Sequence, residues 1–311
     1  MSSYLLICVG LIMLVFGGDI LVRGASAIAK KLNLSPLVIG MTVVAFGTSA
    51  PELMVSVKAA LMGSPEIALG NVIGSNIANV SLVLGITVLI YPLAIDRNSK
   101  IIDWPMMLFS SILFYLFALD YSISLLEGII FFAILVAFTA FIIVNSRRKN
   151  KSYEPDLQEV IPNFWIANAK ILIGLVLLYF GSEWLVSGAV EIAKSFGVEE
   201  RIIGVTVIAV GTSIPELAAS VIAAIKKEAD ISIGNLVGSN IFNITSVIGI
   251  TAMIKPIEVT AKTINPDMYW MIGVALGLGL ILFFWKTINR WHGISLVLAY
   301  SIYIAILAMS M

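Results

Sequence analysis

The chain has 311 residues, of which 59% are hydrophobic and only 12% charged, and its 19 basic and 19 acidic side chains leave no formal net charge. A soluble domain of this size needs a larger charged surface and a nucleic-acid binder needs a basic one, so both classes are excluded. Cys8 is the only cysteine and His292 the only histidine, which excludes an intramolecular disulfide and a cysteine metal cluster and leaves little basis for zinc or histidine acid–base chemistry.

From Tyr4 an apolar stretch runs toward Lys30 with neither the basic leader nor the small-residue cleavage site of a signal peptide. It predicts a first membrane helix over 4–28. A span needs roughly 20 mainly apolar residues, and such segments follow at 36–62, 66–91, 104–119 and 124–145. The polar stretch Ser146 to Asn163 mixes both charges with Pro155 and Pro162 and reads as a tether. Five more segments follow at 167–193, 201–225, 231–255, 267–285 and 292–310. The expected fold class is therefore an all-α membrane protein of ten transmembrane helices, with five in residues 1–145, a linker at 146–163 and five in residues 164–311. Several segments carry Gly, Ser, Thr and Asn clusters, which suit a bundle with a polar interior rather than a lipid-facing surface.

Residues 16–95 match residues 180–259 without a gap at a constant offset of 164, and almost half of the paired positions are identical. Gly47-Thr48-Ser49-Ala50-Pro51-Glu52 matches Gly211-Thr212-Ser213-Ile214-Pro215-Glu216, and the run Gly70 to Asn79 matches Gly234 to Asn243. An odd number of spans in each half makes the second half enter the membrane from the opposite side, an inverted repeat of the kind found in transporters. Lys and Arg concentrate on the side of the linker residues Arg147, Arg148, Lys149 and Lys151, which predicts a cytoplasmic linker and extracellular termini in a cell membrane.

Glu52 and Glu216 fall deep in the second and seventh segments, where a carboxylate costs roughly 2.5 kcal/mol or more on insertion scales. A lone buried glutamate is explained by protonation and a hydrogen bond to a neighbouring helix. Two equivalent ones brought together by an inverted repeat call instead for a divalent cation that offsets both charges. Pro51 and Pro215 lack an N–H, so they are expected to free the carbonyls of Gly47 and Gly211 and to disturb those of Thr48 and Thr212. Ser49 with Glu52, and Ser213 with Glu216, share a helix face. Each half thus offers a carboxylate, hydroxyls and loose carbonyls, the oxygen set a hard cation prefers. In the third and eighth segments Asn71, Ser75 and Asn79, and likewise Asn235, Ser239 and Asn243, recur every four residues on one face. For Asn71, Asn76, Asn235 and Asn240 the simpler expectation is interhelical hydrogen bonding. Gly70 with Gly74, and Gly234 with Gly238, form small-residue pairs that let helices approach.

The duplicated motif, Gly47-Thr48-Ser49-x-Pro51-Glu52 with Gly70-Asn71-x-x-Gly74-Ser75-Asn76-x-x-Asn79, resembles the two alpha repeats of the sodium/calcium exchanger family, in a minimal form without a regulatory domain. The resemblance covers nearly the whole chain and implies an antiporter that exchanges Ca2+ for Na+ at a mid-membrane site. It implicates as metal ligands Ala45, Thr48, Ser49, Glu52, Ser75 and Asn79, and from the second copy Ala209, Thr212, Ser213, Glu216, Ser239 and Asn243, the two alanines through backbone carbonyls. It implies no catalytic residue and no cofactor beyond the transported ions. Members of this family often carry aspartate where Asn243 stands, which bears on stoichiometry and keeps a proton/calcium antiporter of the same superfamily open as the alternative.

Two other classes are weaker. An intramembrane enzyme using Ser49 or Ser213 as nucleophile has no nearby histidine, and its serines are duplicated. A passive channel shares the ligands but does not need broken helices in an inverted repeat. Outside the motif, Asp19 and Arg23 are one turn apart and are expected to pair, and Glu183 stays outside the site. Asp103 and Asp120 are expected at span ends in contact with water, and His292 beside Trp291 as an interfacial anchor.

Overall fold

A computed structural model describes residues 3–150, 163–197, 209–261 and 263–310. Most of the expected linker and the start of the seventh segment lie outside the described residues. The rest is helical: α1 (Ser3–Leu32), α2 (Pro36–Thr48), α3 (Ala50–Leu61), α4 (Pro65–Ile90), α5 (Ser99–Ala118), α6 (Leu125–Asn150), α7 (Phe164–Ser195), α8 (Ile214–Ile225), α9 (Ala229–Ile254), α10 (Thr263–Phe284) and α11 (Arg290–Ser310). Eight of these are long and apolar enough to cross a membrane. The pair α2 and α3, expected as a single span over 36–62 disturbed at Pro51, is bent by 43° at that break and makes a ninth span if counted as one. Among the described residues the seventh segment is represented by the short turn Ala209–Gly211 and by α8.

The interior belongs to α4 and α9. In the most apolar stretch of each, 72% and 83% of residues are buried, against 22% in α6 and α11, which face outward. The outer helices show lipid a continuous row of side chains such as Leu126, Phe141 and Leu298, as a bilayer-facing surface requires. Polar side chains turn inward, among them Thr48, Glu52, Asn79, Glu216, Asn235 and Asn243, all under 2% exposed.

Glycines spaced by seven residues set the longest contact. Gly10, Gly17 and Gly24 of α1 meet Gly181, Gly174 and Ala167 of α7, with numbers rising along one helix as they fall along the other, so the two run antiparallel. A Cβ built on Gly174 would lie 2.7 Å from the backbone nitrogen of Leu21 and 2.8 Å from the carbonyl oxygen of Gly17. Only a bare backbone allows that approach. At 30 and 32 residues, these helices are about 45 Å long against a hydrocarbon layer of about 30 Å, so they must cross at a tilt. A second close approach joins the halves where Gly234 and Gly238 of α9 meet the backbone of Leu37 and Met41 in α2.

Four two-residue strands tie the loops, a feature the sequence reading did not include. β1 (Leu93–Ala94) pairs antiparallel with β4 (Thr287–Ile288), and β2 (Ser122–Ile123) with β3 (Ile257–Glu258). Leu93 and Ile257 are related by the repeat offset, so each strand of one half finds its partner in the other. Asp19 pairs with Arg23 as expected, at 2.8 Å, and also with Lys226 at 2.5 Å, linking α1 to the end of α8. Asp103 corrects an expectation: at 2% exposure it lies in a π-helical first turn of α5 rather than in water. Asp120 is exposed and accepts from the Ser122 N–H, and His292 is half-buried, accepting from the Asn289 N–H and packing edge-on against Trp285.

Gly174→Leu is expected to abolish monodisperse folded protein on size-exclusion chromatography, and Gly174→Ala to lower stability by about 1–3 kcal/mol. Wild-type melting behaviour in both variants would contradict the glycine seam.

Candidate cation site

The site begins with two helix breaks. Pro51 stands in the first turn of α3 and Pro215 in that of α8. Neither can donate to the carbonyl four residues back, so the helix cannot run through. The break falls on Ser49 (φ −85°, ψ 3°) and on Ser213 (φ −87°, ψ 2°), almost the same geometry in both halves. Glu52 and Glu216 follow in the first turns beyond, where the half-helix dipole favours a carboxylate.

Asparagines from α4 and α9 clamp these turns. Asn71 donates to the carbonyl oxygen of Glu52 at 3.1 Å and to Ser56 Oγ at 3.0 Å. Asn235 does the same to Glu216 at 3.4 Å and to Ser220 Oγ at 3.0 Å. Both asparagines therefore serve as the interhelical clasps expected of them. Ser56 and Ser220 were not singled out in the sequence, although each sits one turn after its glutamate at the repeat offset.

Other contacts cross from one half to the other. Ser49 Oγ donates to Glu216 Oε1 at 3.2 Å, Thr48 Oγ1 donates to Asn235 Oδ1 at 3.2 Å, and the hydroxyls of Ser75 and Thr212 lie 3.4 Å apart. Sequence spacing had put Ser49 with Glu52; the break at Ser49 turns its hydroxyl to the glutamate of the opposite half. Thr212 and Ser75 lie toward Glu52, and Thr48, Ser49 and Ser239 toward Glu216. For Glu52 the approach stops short of hydrogen-bond geometry, since both its carboxylate oxygens lack a partner among the described residues. Of the remaining expected residues, Asn79 and Asn243 each open a π-helical turn, Asn79–Val83 and Asn243–Ile248. Single π turns inside α-helices gather at functional sites because they re-aim side chains and loosen carbonyls. The Ala45 carbonyl accepts from the Ser49 N–H at 2.9 Å and, more distantly, from the Thr48 hydroxyl at 3.4 Å, and Ala209 stands in the short turn before the second break.

The chemistry of the centre is defined by what its oxygens lack. Both carboxylate oxygens of Glu52, Oε2 of Glu216, the Oγ atoms of Ser213 and Ser239, both amide atoms of Asn79 and Oδ1 of Asn243 are buried without a hydrogen-bond partner among the described residues. Unpaired buried polar atoms each cost about 1–3 kcal/mol, and two carboxylates so placed repel one another. Neither glutamate forms an ion pair among the described residues. No group of three or more His, Cys, Asp or Glu occurs among them, so the donors are two carboxylates amid neutral oxygens. That composition fits a hard cation taking several oxygen ligands, with charge of about +2 to compensate it.

A membrane-embedded bundle with duplicated broken helices and paired carboxylates among neutral oxygens defines a transporter of small cations. The sequence comparisons narrow the class: the family model for sodium/calcium exchanger proteins matches residues 2–144 and 168–309, and the chain belongs to that family of membrane antiporters. It is 40% identical over 303 residues to the putative antiporter CaxA of Alkalimonas amylolytica, covering 94% of this chain and 95% of that one. It is 32% identical to the sodium/calcium exchanger MaX1 of Methanosarcina acetivorans, over 98% of each chain. Among solved structures it matches the sodium-calcium exchanger NCX_Mj soaked with 2.5 mM Na+ and 0.1 mM Ca2+, with a TM-score of 0.84 and 31% identity, covering 98% of this chain and 99% of that one. Exchange of ions, not catalysis, is what the family name denotes.

Asn235→Leu removes the clasp on Glu216 and Ser220 and is expected to lower stability by about 1–3 kcal/mol, read as a fall in melting temperature in detergent. An unchanged melting temperature would show that the clasp contributes nothing.

Proposed function

We propose that this chain exchanges Ca2+ for Na+ across a cell membrane by alternating access, with Thr48, Ser49, Glu52, Ser75, Asn79, Thr212, Ser213, Glu216, Ser239 and Asn243, and the carbonyls of Ala45 and Ala209, as the ion ligands. The observation that carries this function is the cluster of buried, unpaired oxygens around Glu52 and Glu216. Calcium neutralises both carboxylates at once. Two sodium ions neutralise them equally well, and a third leaves excess positive charge because Asn243 adds none. Calcium and sodium need the same oxygens, so their occupancy is mutually exclusive.

Coupling follows from the cost of occlusion. Sealing two uncompensated carboxylates away from water on both sides costs several kcal/mol per ion even after relaxation. The loaded site carries little net charge and seals readily. Only a loaded carrier therefore passes through the occluded state, and outward movement of one ion is tied to inward movement of the other. The scaffold for this motion is ten spans in two inverted five-helix repeats, residues 1–145 and 164–311, with the linker 146–163 cytoplasmic and both termini extracellular. The antiparallel seam of α1 with α7 and the reciprocal strand pairs support that inversion.

Sodium is favoured over the proton because Ser49, Ser75, Ser213 and Ser239 duplicate a neutral oxygen set that protonation of two glutamates would not require. In proteoliposomes an outward sodium gradient is expected to drive calcium uptake, Glu52→Gln and Glu216→Gln each to abolish it while remaining folded, and Ser75→Ala or Ser239→Ala to weaken sodium dependence more than calcium binding. Uptake driven by a pH gradient in sodium-free buffer, without response to sodium, would replace sodium with the proton as counter-ion.

A further inference from the structure

Asn76 stands next to an expected ligand, Ser75, but is not one of the ligands, and it is 1% exposed. Its amide nitrogen faces two groups that can only accept: the backbone carbonyl oxygen of Asn240 at 3.4 Å and the thioether sulfur of Met271 at 3.8 Å. The NH2 end of Asn76 is thereby assigned, and its Oδ1 must point the other way. There it accepts from Nδ2 of Asn243 at 3.1 Å. The polarity passes along the chain of bonds. With its own NH2 committed to Asn76, Asn243 turns Oδ1 away, buried and without a partner among the described residues. Asn243 heads a π turn that packs on α3, the helix bearing Glu52.

The other half does not repeat this arrangement. Asn240, the counterpart of Asn76, donates back along its own helix to the carbonyl of Leu236 at 2.8 Å, and Asn79 has neither amide atom bonded among the described residues. The two asparagines that look equivalent in sequence differ: Asn243 has its polarity fixed by Asn76, and Asn79 has no such contact among the described residues.

We infer that Asn76 is a positioning residue that sets the polarity of the Asn243 amide, turning its carbonyl oxygen toward the Glu52 and Glu216 centre as a neutral ligand for the transported cation. This rests on the cation-binding function proposed above. An amide at position 243 can offer a cation either an oxygen or an NH2 group, and the NH2 end would repel it. A carboxylate at that position has two oxygens and needs no such orientation. The Asn76 contact is therefore what lets an asparagine serve there, and it makes the ion preference of this chain depend on a residue that touches no ion.

The test is calcium binding to the full-length, detergent-solubilised protein by calorimetry, with calcium alone as the probe and no sodium coupling involved. Asn76→Leu, which keeps the branched heavy-atom skeleton but neither donates nor accepts, is expected to weaken calcium binding by about tenfold, in the range seen when a residue that orients a metal ligand is removed. In an Asn243→Asp background, where there is no amide to orient, the same substitution is expected to change Kd by less than about twofold. Asn76→Ser, whose hydroxyl is too short to reach Asn243, should reproduce the loss if the leucine variant does not fold. Wild-type protein that binds no calcium would remove the proposed ion and the role of Asn76 together. Calcium binding by wild type that is unchanged in Asn76→Leu and Asn76→Ser, or a loss of equal size in the Asn243→Asp background, would overturn the role of Asn76 alone.

Discussion

Keeping two glutamates in the middle of a membrane protein is the constraint on which the rest of this structure depends. Glu52 and Glu216 have no measurable exposure, and a charge held at such depth persists only where an opposite charge or a water-lined cavity compensates it. The surrounding features serve that requirement. Proline breaks place each glutamate at the start of a half-helix, asparagine clasps fix the turns that carry them, and hydroxyls from the opposite half reach across. In the function proposed above, a small cation that compensates both carboxylates would supply affinity and coupling together, because sealing the site uncompensated is costly.

Duplication explains how one chain assembles such a centre. A single repeat supplies a carboxylate, a broken helix and a row of neutral oxygens on a neighbouring helix, but several of the contacts that hold the centre run between repeats, among them Ser49 to Glu216, Thr48 to Asn235 and Ser75 to Thr212. The glycine seam between α1 and α7 joins the halves through close backbone approach, with a hydrogen bond from the Ser3 hydroxyl to Glu191 at one end. Symmetry is not complete. Asp19 meets Lys226 on one side, and the repeat offset places Glu183 and Met62 at the corresponding positions, which cannot form that pair. At the centre Asn76 and Asn240 take different partners, so the two halves are not equivalent there.

Much of this was legible in the sequence because its signals are local. The offset of 164, the Pro-Glu pairs and the four-residue spacing of Asn71, Ser75 and Asn79 pointed to the residues proposed as ligands and to the clasping role of Asn71 and Asn235. What stayed hidden depends on three-dimensional packing. The helix face shared by Ser49 and Glu52 suggested that they act together, but the break at Ser49 sends its hydroxyl to Glu216. Asp103 does stand in the first turn of its span, but neighbouring side chains cover it, and that burial leaves no mark in the sequence. Strands of two residues leave no periodic pattern to find. The seven-residue spacing of Gly10, Gly17 and Gly24, repeated in Gly174, Gly181 and Gly188, was present in the sequence; its meaning emerges only when α7 is seen running antiparallel beside α1.

The central claim is that one divalent cation sits between the two glutamates. Anomalous X-ray scattering from crystals grown with calcium, or with strontium as a heavier substitute, tests it most directly. The account predicts a single strong peak within about 2.3–2.6 Å of carboxylate oxygens from both Glu52 and Glu216, with neutral oxygens of the duplicated motif completing the shell. A peak bound by only one of the two glutamates, or none at this centre under conditions that support transport, would contradict it.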